Sequence, residues 1–322
     1  MVVTVTRIND IIHEKLSNFF PGKSGFVEVS PGRVFLPKKF EEIYKSVESF
    51  VVREDDVWVV SYPRTGSTWV QEMVWLLGNK LDFESAKSNM LATRAPILEL
   101  TAIFNDDHHQ WLSDTLGNSV ECLSNVPSPR FARSHLPWEL LPRQLHEVKP
   151  KLIYVARNPK DQCVSYYHYC KLLHGLDGSF DEFCNMFLTG TIPMGLYWNH
   201  VLPFWKNRFN SNILFLKYET MKRDLPSVIQ ECIEFLELDI EITSQDLSRI
   251  CDHLKFDKMQ ENPAVNLKSF LSQDDDPESN AKFIRKGEIG DWKNYLSLEM
   301  SEKFDEWTEV NTSGTGLDFT YV

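Results

Sequence analysis

The sequence predicts an α/β fold with a central parallel sheet flanked by helices in three layers. One local pattern, a short buried strand, a turn and then an amphipathic helix, occurs three times, as a parallel sheet with crossover helices requires. An apolar fraction of 42% and an aromatic fraction of 12%, with 9 Trp and 21 Phe, provide a large core with aromatic-lined interior space. No internal repeat, heptad run or low-complexity tract competes with that reading.

The first unit runs from Val57-Trp58-Val59-Val60-Ser61-Tyr62 through Pro63-Arg64-Thr65-Gly66-Ser67 into a helix, with Val70, Met73, Val74 and Leu77 at helical spacing and Gly78 at its end. The second is Lys151-Leu152-Ile153-Tyr154-Val155-Ala156, followed by Arg157. Asn158 then serves as N-cap, Pro159 as first helical residue and Asp161 as a first-turn acid. The third is Asn212 to Tyr218, then Pro226 and the amphipathic run Val228 to Leu238. Three such units imply one sheet.

Composition narrows the function. Asp and Glu outnumber Lys and Arg by 46 to 34, for a formal charge of -12, so a nucleic acid would be repelled and an anionic ligand must be held by a local site. The opening MVVTVTRINDIIHEKLSNFF has scattered charges and no signal-like apolar centre, and no run approaches the roughly eighteen apolar residues of a membrane span. Six cysteines without CxxC spacing fit reduced thiols, and the expectation is a cytoplasmic protein without membrane contact. The sequon Asn311-Thr312-Ser313 is then unused, and Asp274-Asp275-Asp276 before Pro277 is a solvated loop.

The segment Tyr62 to Trp69 leaves a strand and opens a helix, so it forms a P-loop-like strand-loop-helix in which backbone N–H groups meet an anion at the positive helix end. Gly66 permits close approach, Ser67 and Thr68 add hydroxyls, and Arg64 adds a planar cation. It is not a Walker A loop, because GxxxxGK[ST] is absent. With one glycine, this loop alone fits many ligands. Three further segments narrow the choice: Arg133-Ser134-His135-Leu136-Pro137, Arg157-Asn158-Pro159-Lys160-Asp161 through Ser165-Tyr166-Tyr167, and Phe283-Ile284-Arg285-Lys286-Gly287 through Gly290-Asp291-Trp292. In this order the four segments closely resemble the cytosolic sulfotransferase family, over about Val51 to Trp307.

That resemblance implies one sulfotransferase domain over residues 1–322, with N-terminal extension and pocket elements in about residues 1–45 and a catalytic core over about 51–307. It implies 3'-phosphoadenosine 5'-phosphosulfate (PAPS) as sulfuryl donor, the desulfated nucleotide PAP as product, and a small hydroxyl compound as acceptor. By similarity, Arg64, Thr65, Gly66, Ser67 and Thr68 cradle the 5'-phosphosulfate, and Trp69 and Phe256 stack on the adenine. Arg157, Ser165, Arg285, Lys286 and Gly287 hold the 3'-phosphate, and Tyr218, ending the third strand, contacts the adenosine. His135 matches the family's catalytic histidine, a neutral imidazole that takes the proton of the attacking hydroxyl. Arg64 and Arg133 stabilise charge on the leaving phosphate in an in-line transfer, and no metal is expected. His108 and His109 lack such a context and are read as loop residues.

The sequence departs from the family in four places. Arg64 and Arg133 stand where lysines are usual, which keeps the charge but replaces a mobile ammonium by a rigid fork. Leu254-Lys255 replaces a Thr-Ser pair before Phe256, removing a hydroxyl. Lys293 to Glu302 only approximates the dimerisation motif, which leaves a homodimer open. Ile97, Leu100, Phe104, Trp138 and Tyr169 are the expected apolar wall of the acceptor pocket, suited to a phenol, steroid, retinoid or other small alcohol. Three alternatives stay open: sulfation followed by elimination, as in retinol-dehydrating relatives; a non-catalytic nucleotide-binding relative; and a nucleotide kinase, disfavoured by the missing Walker A loop.

Overall fold

The computed structural model describes residues 3–104, 117–268 and 282–321. His108, His109 and Asp274 to Asp276 lie outside these residues. Among the described residues, seven strands form two sheets. An N-terminal antiparallel sheet joins β1 (Thr4–Arg7), β2 (Phe26–Ser30) and β3 (Val34–Pro37) in sequence order. The central sheet contains β4 (Val57–Val60), β5 (Phe131–Ser134), β6 (Lys151–Ala156) and β7 (Ile213–Lys217), all parallel, in the spatial order β5-β4-β6-β7.

The central strands are near-continuous apolar runs because both faces are covered. Alternate residues of β4 divide the core: Trp58 and Val60 face one apolar cluster, while Val57 and Val59 face the other, with Val70, Met73, Val74 and Leu77 of helix Ser67–Gly78. The expected three-layer α/β arrangement is therefore observed.

Register fixes the position of the site. Val57 lies beside Phe131 on one neighbour and Lys151 on the other, and Leu152 lies beside Ile213. β4 and β5 end level with Tyr154, and β6 and β7 run on together to Ala156 and Lys217, so the residues that follow the strands, Ser61 to Ser67, His135, Arg157 and Tyr218, gather at one edge of the sheet. In open parallel sheets this carboxyl edge is where ligands bind. Asn158 caps helix Pro159–Leu173 by accepting from the Asp161 N–H, as the sequence predicts. One boundary differs: Tyr218 does not end β7 but begins helix Tyr218–Arg223, since the extended backbone stops at Lys217.

None of the six cysteines is joined in a disulfide. No helix among the described residues is long and apolar enough to cross a membrane.

Candidate active site

The loop after β4 is held from beneath. The Thr65 hydroxyl donates to the carbonyls of Tyr62 (3.0 Å) and Val155 (2.9 Å), and Tyr62 donates to Gly195 O (2.9 Å). Thr65 therefore anchors the loop from its buried side, and its side chain is not part of the cavity wall expected of it. Gly66 sits at φ 105°, and a Cβ there would come 2.7 Å from Tyr218 Cδ2, so only glycine allows the tyrosine ring this close. The loop opens onto a cavity of about 720 Å³ whose wall includes Arg64, Gly66, Ser67, Thr68 and Trp69.

Arg64, at φ 69°, aims a guanidinium across this cavity. It donates to Phe283 O (2.7 Å) and Ser165 Oγ (3.3 Å), and its charge lies over the rings of Tyr169 (5.2 Å) and Phe283 (4.7 Å). Burial lowers its pKa to about 10, which leaves it charged at neutral pH. Arg133 donates to Thr68 Oγ1 (3.1 Å) and, for the same reason, is lowered to about 10.

His135 follows β5 and is held by several groups. Its N–H donates to Glu99 Oε1 (2.6 Å), and its Nδ1 lies 2.9 Å from Ser61 O. A carbonyl only accepts, so Nδ1 carries the ring hydrogen and Nε2 keeps its lone pair. Burial, then Arg133 and His200, push the pKa down to about 3 against the bond to Ser61, so the ring is neutral. Glu99 also accepts from Ser134 Oγ (2.9 Å). Burial raises its carboxyl to about 7 against these hydrogen bonds.

At the other end, Arg157 donates to Glu288 O (2.7 Å) and stacks over Tyr218 at 4.3 Å. Trp69 meets Tyr218 edge-on, and Phe256 lies where a Cβ on Gly287 would approach its Cδ2 to 2.2 Å. Arg157, Ser165, Tyr218, Phe256, Arg285, Lys286 and Gly287 all line the same cavity. Asp291 holds the late segment, accepting from Arg285 (2.6 Å), Lys286 (2.7 Å) and Asn294 (3.0 Å). Burial would raise this carboxyl, but those bonds outweigh it and keep it at about 2. Asp161 latches the segment to helix Pro159–Leu173 through the N–H groups of Gly290 (2.7 Å) and Trp292 (3.0 Å). The Nε atoms of Arg133, Arg157 and Arg285 are buried and have no hydrogen-bond partner among the described residues.

Ile97, Leu100, Phe104 and Tyr169 line the same cavity as His135, joined by Pro21 and Gly22 from the N-terminal region. Trp138 corrects the expectation. It belongs to a separate cleft with Val3, Phe40 and Tyr44, because the short 3-10 helix Trp138–Leu140 turns it away toward His146 and Phe204. Sequence reasoning did not identify Glu99, Asp161, Asp291, Tyr154 or His200 as parts of the site. Glu99 carried one signal, a lone acid inside the apolar run Pro96-Ile97-Leu98-Glu99-Leu100.

A parallel α/β sheet whose carboxyl edge carries a phosphate-type loop, facing arginines and an apolar chamber with a neutral histidine, defines a group-transfer enzyme for an anionic donor. Residues 54–316 match the sulfotransferase domain, and the chain belongs to that family and is a sulfotransferase. The luciferin sulfotransferase of Photinus pyralis is 38% identical over 322 residues, covering 97% of this chain and 85% of that protein. Sulfotransferase 1B1 of Canis lupus familiaris is 36% identical over 87% of this chain and 91% of its own length. Among solved structures, retinol dehydratase with retinol and PAP superimposes with a TM-score of 0.89 at 28% identity, over 99% of each chain. The same enzyme with androsterone and PAP gives 0.90 at 29% identity, over 100% of this chain and 99% of that one.

Proposed function

We propose that this sulfotransferase moves the sulfuryl group of PAPS to the hydroxyl of a small, largely apolar acceptor, with His135 as general base, and that the chain works as one catalytic domain. The observation that carries the reading is His135: a neutral ring with its free lone pair on Nε2, in one cavity with Arg64, Arg133 and the apolar wall of Ile97, Leu100, Phe104 and Tyr169. PAP in the retinol dehydratase complexes supports the donor.

The residues present fit that nucleotide. Three buried arginine Nε atoms, of Arg133, Arg157 and Arg285, lack partners among the described residues, and all three arginines line the cavity, which suits a strongly anionic ligand. Arg157, Ser165 and Arg285 to Gly287 would hold the 3'-phosphate; Arg64 and Gly66 to Thr68 the 5'-phosphosulfate; Trp69 and Phe256 the adenine. When bound, the donor supplies the transferable sulfuryl group. Nε2 of His135 accepts the proton of the acceptor hydroxyl as that oxygen attacks, and Arg64 and Arg133 carry charge toward the leaving oxygen. Burial is the main cause of the low His135 pKa, and bound anionic groups would offset only the smaller part that Arg133 and Arg64 add. The cytosol as place of action belongs to the same reading, supported by six cysteines that form no disulfide.

Labelled PAPS incubated with phenols, steroids and terpenoid alcohols, followed by product mass, tests the assignment. Gain of a sulfuryl group supports it. Tight PAP binding with no acceptor modified defeats it. His135→Ala should abolish turnover while leaving PAP affinity intact. A second reading, sulfation followed by elimination, is favoured by the fit to retinol dehydratase and predicts loss of water from an allylic alcohol.

A further inference from the structure

His200, 1% exposed, is a buried histidine to which the proposed reaction gives no part. It lies in helix Tyr197–Lys206, against the rings of Tyr62 (5.5 Å) and Phe204 (5.7 Å). Its Nε2 is 3.0 Å from the main-chain carbonyl of His135, and its Nδ1 is 2.8 Å from the Tyr154 hydroxyl. The hydrogens follow from the partners. The His135 carbonyl can only accept, so Nε2 donates; a neutral imidazole has one ring hydrogen, so Nδ1 is bare and accepts from Tyr154. Burial, which lowers this histidine to about 4, keeps it neutral, and burial also keeps the Tyr154 hydroxyl protonated.

His135 is therefore gripped from three directions: its N–H by Glu99, its ring Nδ1 by the end of β4, and its carbonyl by His200. The peptide that leads on to Leu136 and Pro137 is held at both ends, its carbonyl by His200 and its N–H by Ser134 Oγ (3.1 Å). Without His200, a part-buried carbonyl loses its donor and the peptide is restrained only at its N–H end, so the setting of the His135 ring loosens.

We propose that Tyr154 and His200 are a positioning pair for His135, a two-step hydrogen-bond relay from β6 through helix Tyr197–Lys206 that keeps the bare Nε2 aimed at the reacting hydroxyl. The proposal rests on the reading of His135 as base. Neither residue lines the cavity, so the pair acts on the rate of proton transfer and not on the grip of either substrate.

The test compares kcat, acceptor KM and PAP affinity. His200→Phe should lower kcat about 10- to 100-fold, the scale of a misplaced catalytic group, with PAP affinity unchanged within about twofold. His200→Gln, whose amide nitrogen can reach the His135 carbonyl, should recover most of that loss, and Tyr154→Phe should give a smaller loss of kcat. A folded His200→Phe with wild-type kcat, or equal losses in the Phe and Gln variants, overturns the proposal. If His200→Phe does not fold, Tyr154→Phe decides, since it removes a single hydroxyl: reduced kcat at unchanged PAP affinity supports the pair, and wild-type kcat overturns it. His135→Ala keeps the two readings apart. Turnover surviving in that variant defeats the base assignment, whereas its loss beside an unaffected His200→Phe defeats the positioning pair alone.

Discussion

Replacing His200 by Gln should flatten the acid limb of the stability curve. In the folded chain burial lowers this histidine from 6.5 to about 4, whereas in the unfolded chain it titrates at its ordinary value. Because the folded pKa is depressed, the unfolded state binds the proton first, and stability present above pH 6.5 is lost progressively as pH falls toward 4. At about 1.4 kcal/mol per pH unit across that window, this one group removes about 2 kcal/mol between pH 7 and pH 5. Gln does not titrate, so the variant lacks this contribution. Glu99, raised to about 7, titrates in the same range with the opposite sign, but it is common to both proteins and cancels in their difference. Urea unfolding of both at pH 7 and pH 5 measures the quantity directly. The wild type should lose about 2 kcal/mol more than His200→Gln over that interval. Parallel curves, within about 0.5 kcal/mol, would refute the buried neutral state of His200 from which the relay was derived.

Gly66→Ala must hold φ 105° and place a methyl 2.7 Å from Tyr218, a strain of about 2 to 4 kcal/mol, and calorimetry should show PAP affinity reduced at least about tenfold. Asp161→Ala removes the acceptor for the Gly290 and Trp292 N–H groups, so PAP binding should weaken while the unfolding midpoint moves little; unchanged affinity would deny that the latch shapes the site. Asp56→Ala leaves the buried Arg130 guanidinium, now held at 2.7 and 2.6 Å, without its partner, and urea unfolding should report a loss of about 3 to 5 kcal/mol.

The three βα units were legible because each joins an apolar strand to a strong local signal: Gly66 in the first turn, Asn158-Pro159 in the second, Pro226 in the third. The edge strand β5 was not, although His135 directly follows it. Four residues, Phe131 to Ser134, with two of them polar, give too short a pattern, and pairing with β4 decides their conformation. The N-terminal antiparallel sheet was missed for the same reason. The cationic residues of the site could be read from their motifs, but their restraints could not. Glu99, Asp161 and His200 act through contacts that bridge distant parts of the chain, 36 residues between Glu99 and His135 and 65 between His200 and His135, whereas Asp291 gathers near neighbours, Arg285, Lys286 and Asn294. Trp138 shows the converse: as an apolar residue it was expected in the acceptor wall, yet the 3-10 turn sends it elsewhere.

The guanidinium of Arg64, seated over Tyr169 and Phe283, has a consequence for how this enzyme changes its clientele. In the proposed reaction Tyr169 walls the chamber that receives the acceptor, while Arg64 belongs to the loop that grips the donor. A substitution at Tyr169 that admits a bulkier alcohol also removes half of the aromatic seat of the arginine. New acceptor range in this lineage is therefore gained most freely at Ile97, Leu100 and Phe104, which do not stack on that cation, and Tyr169 is the wall position where diversification is most constrained.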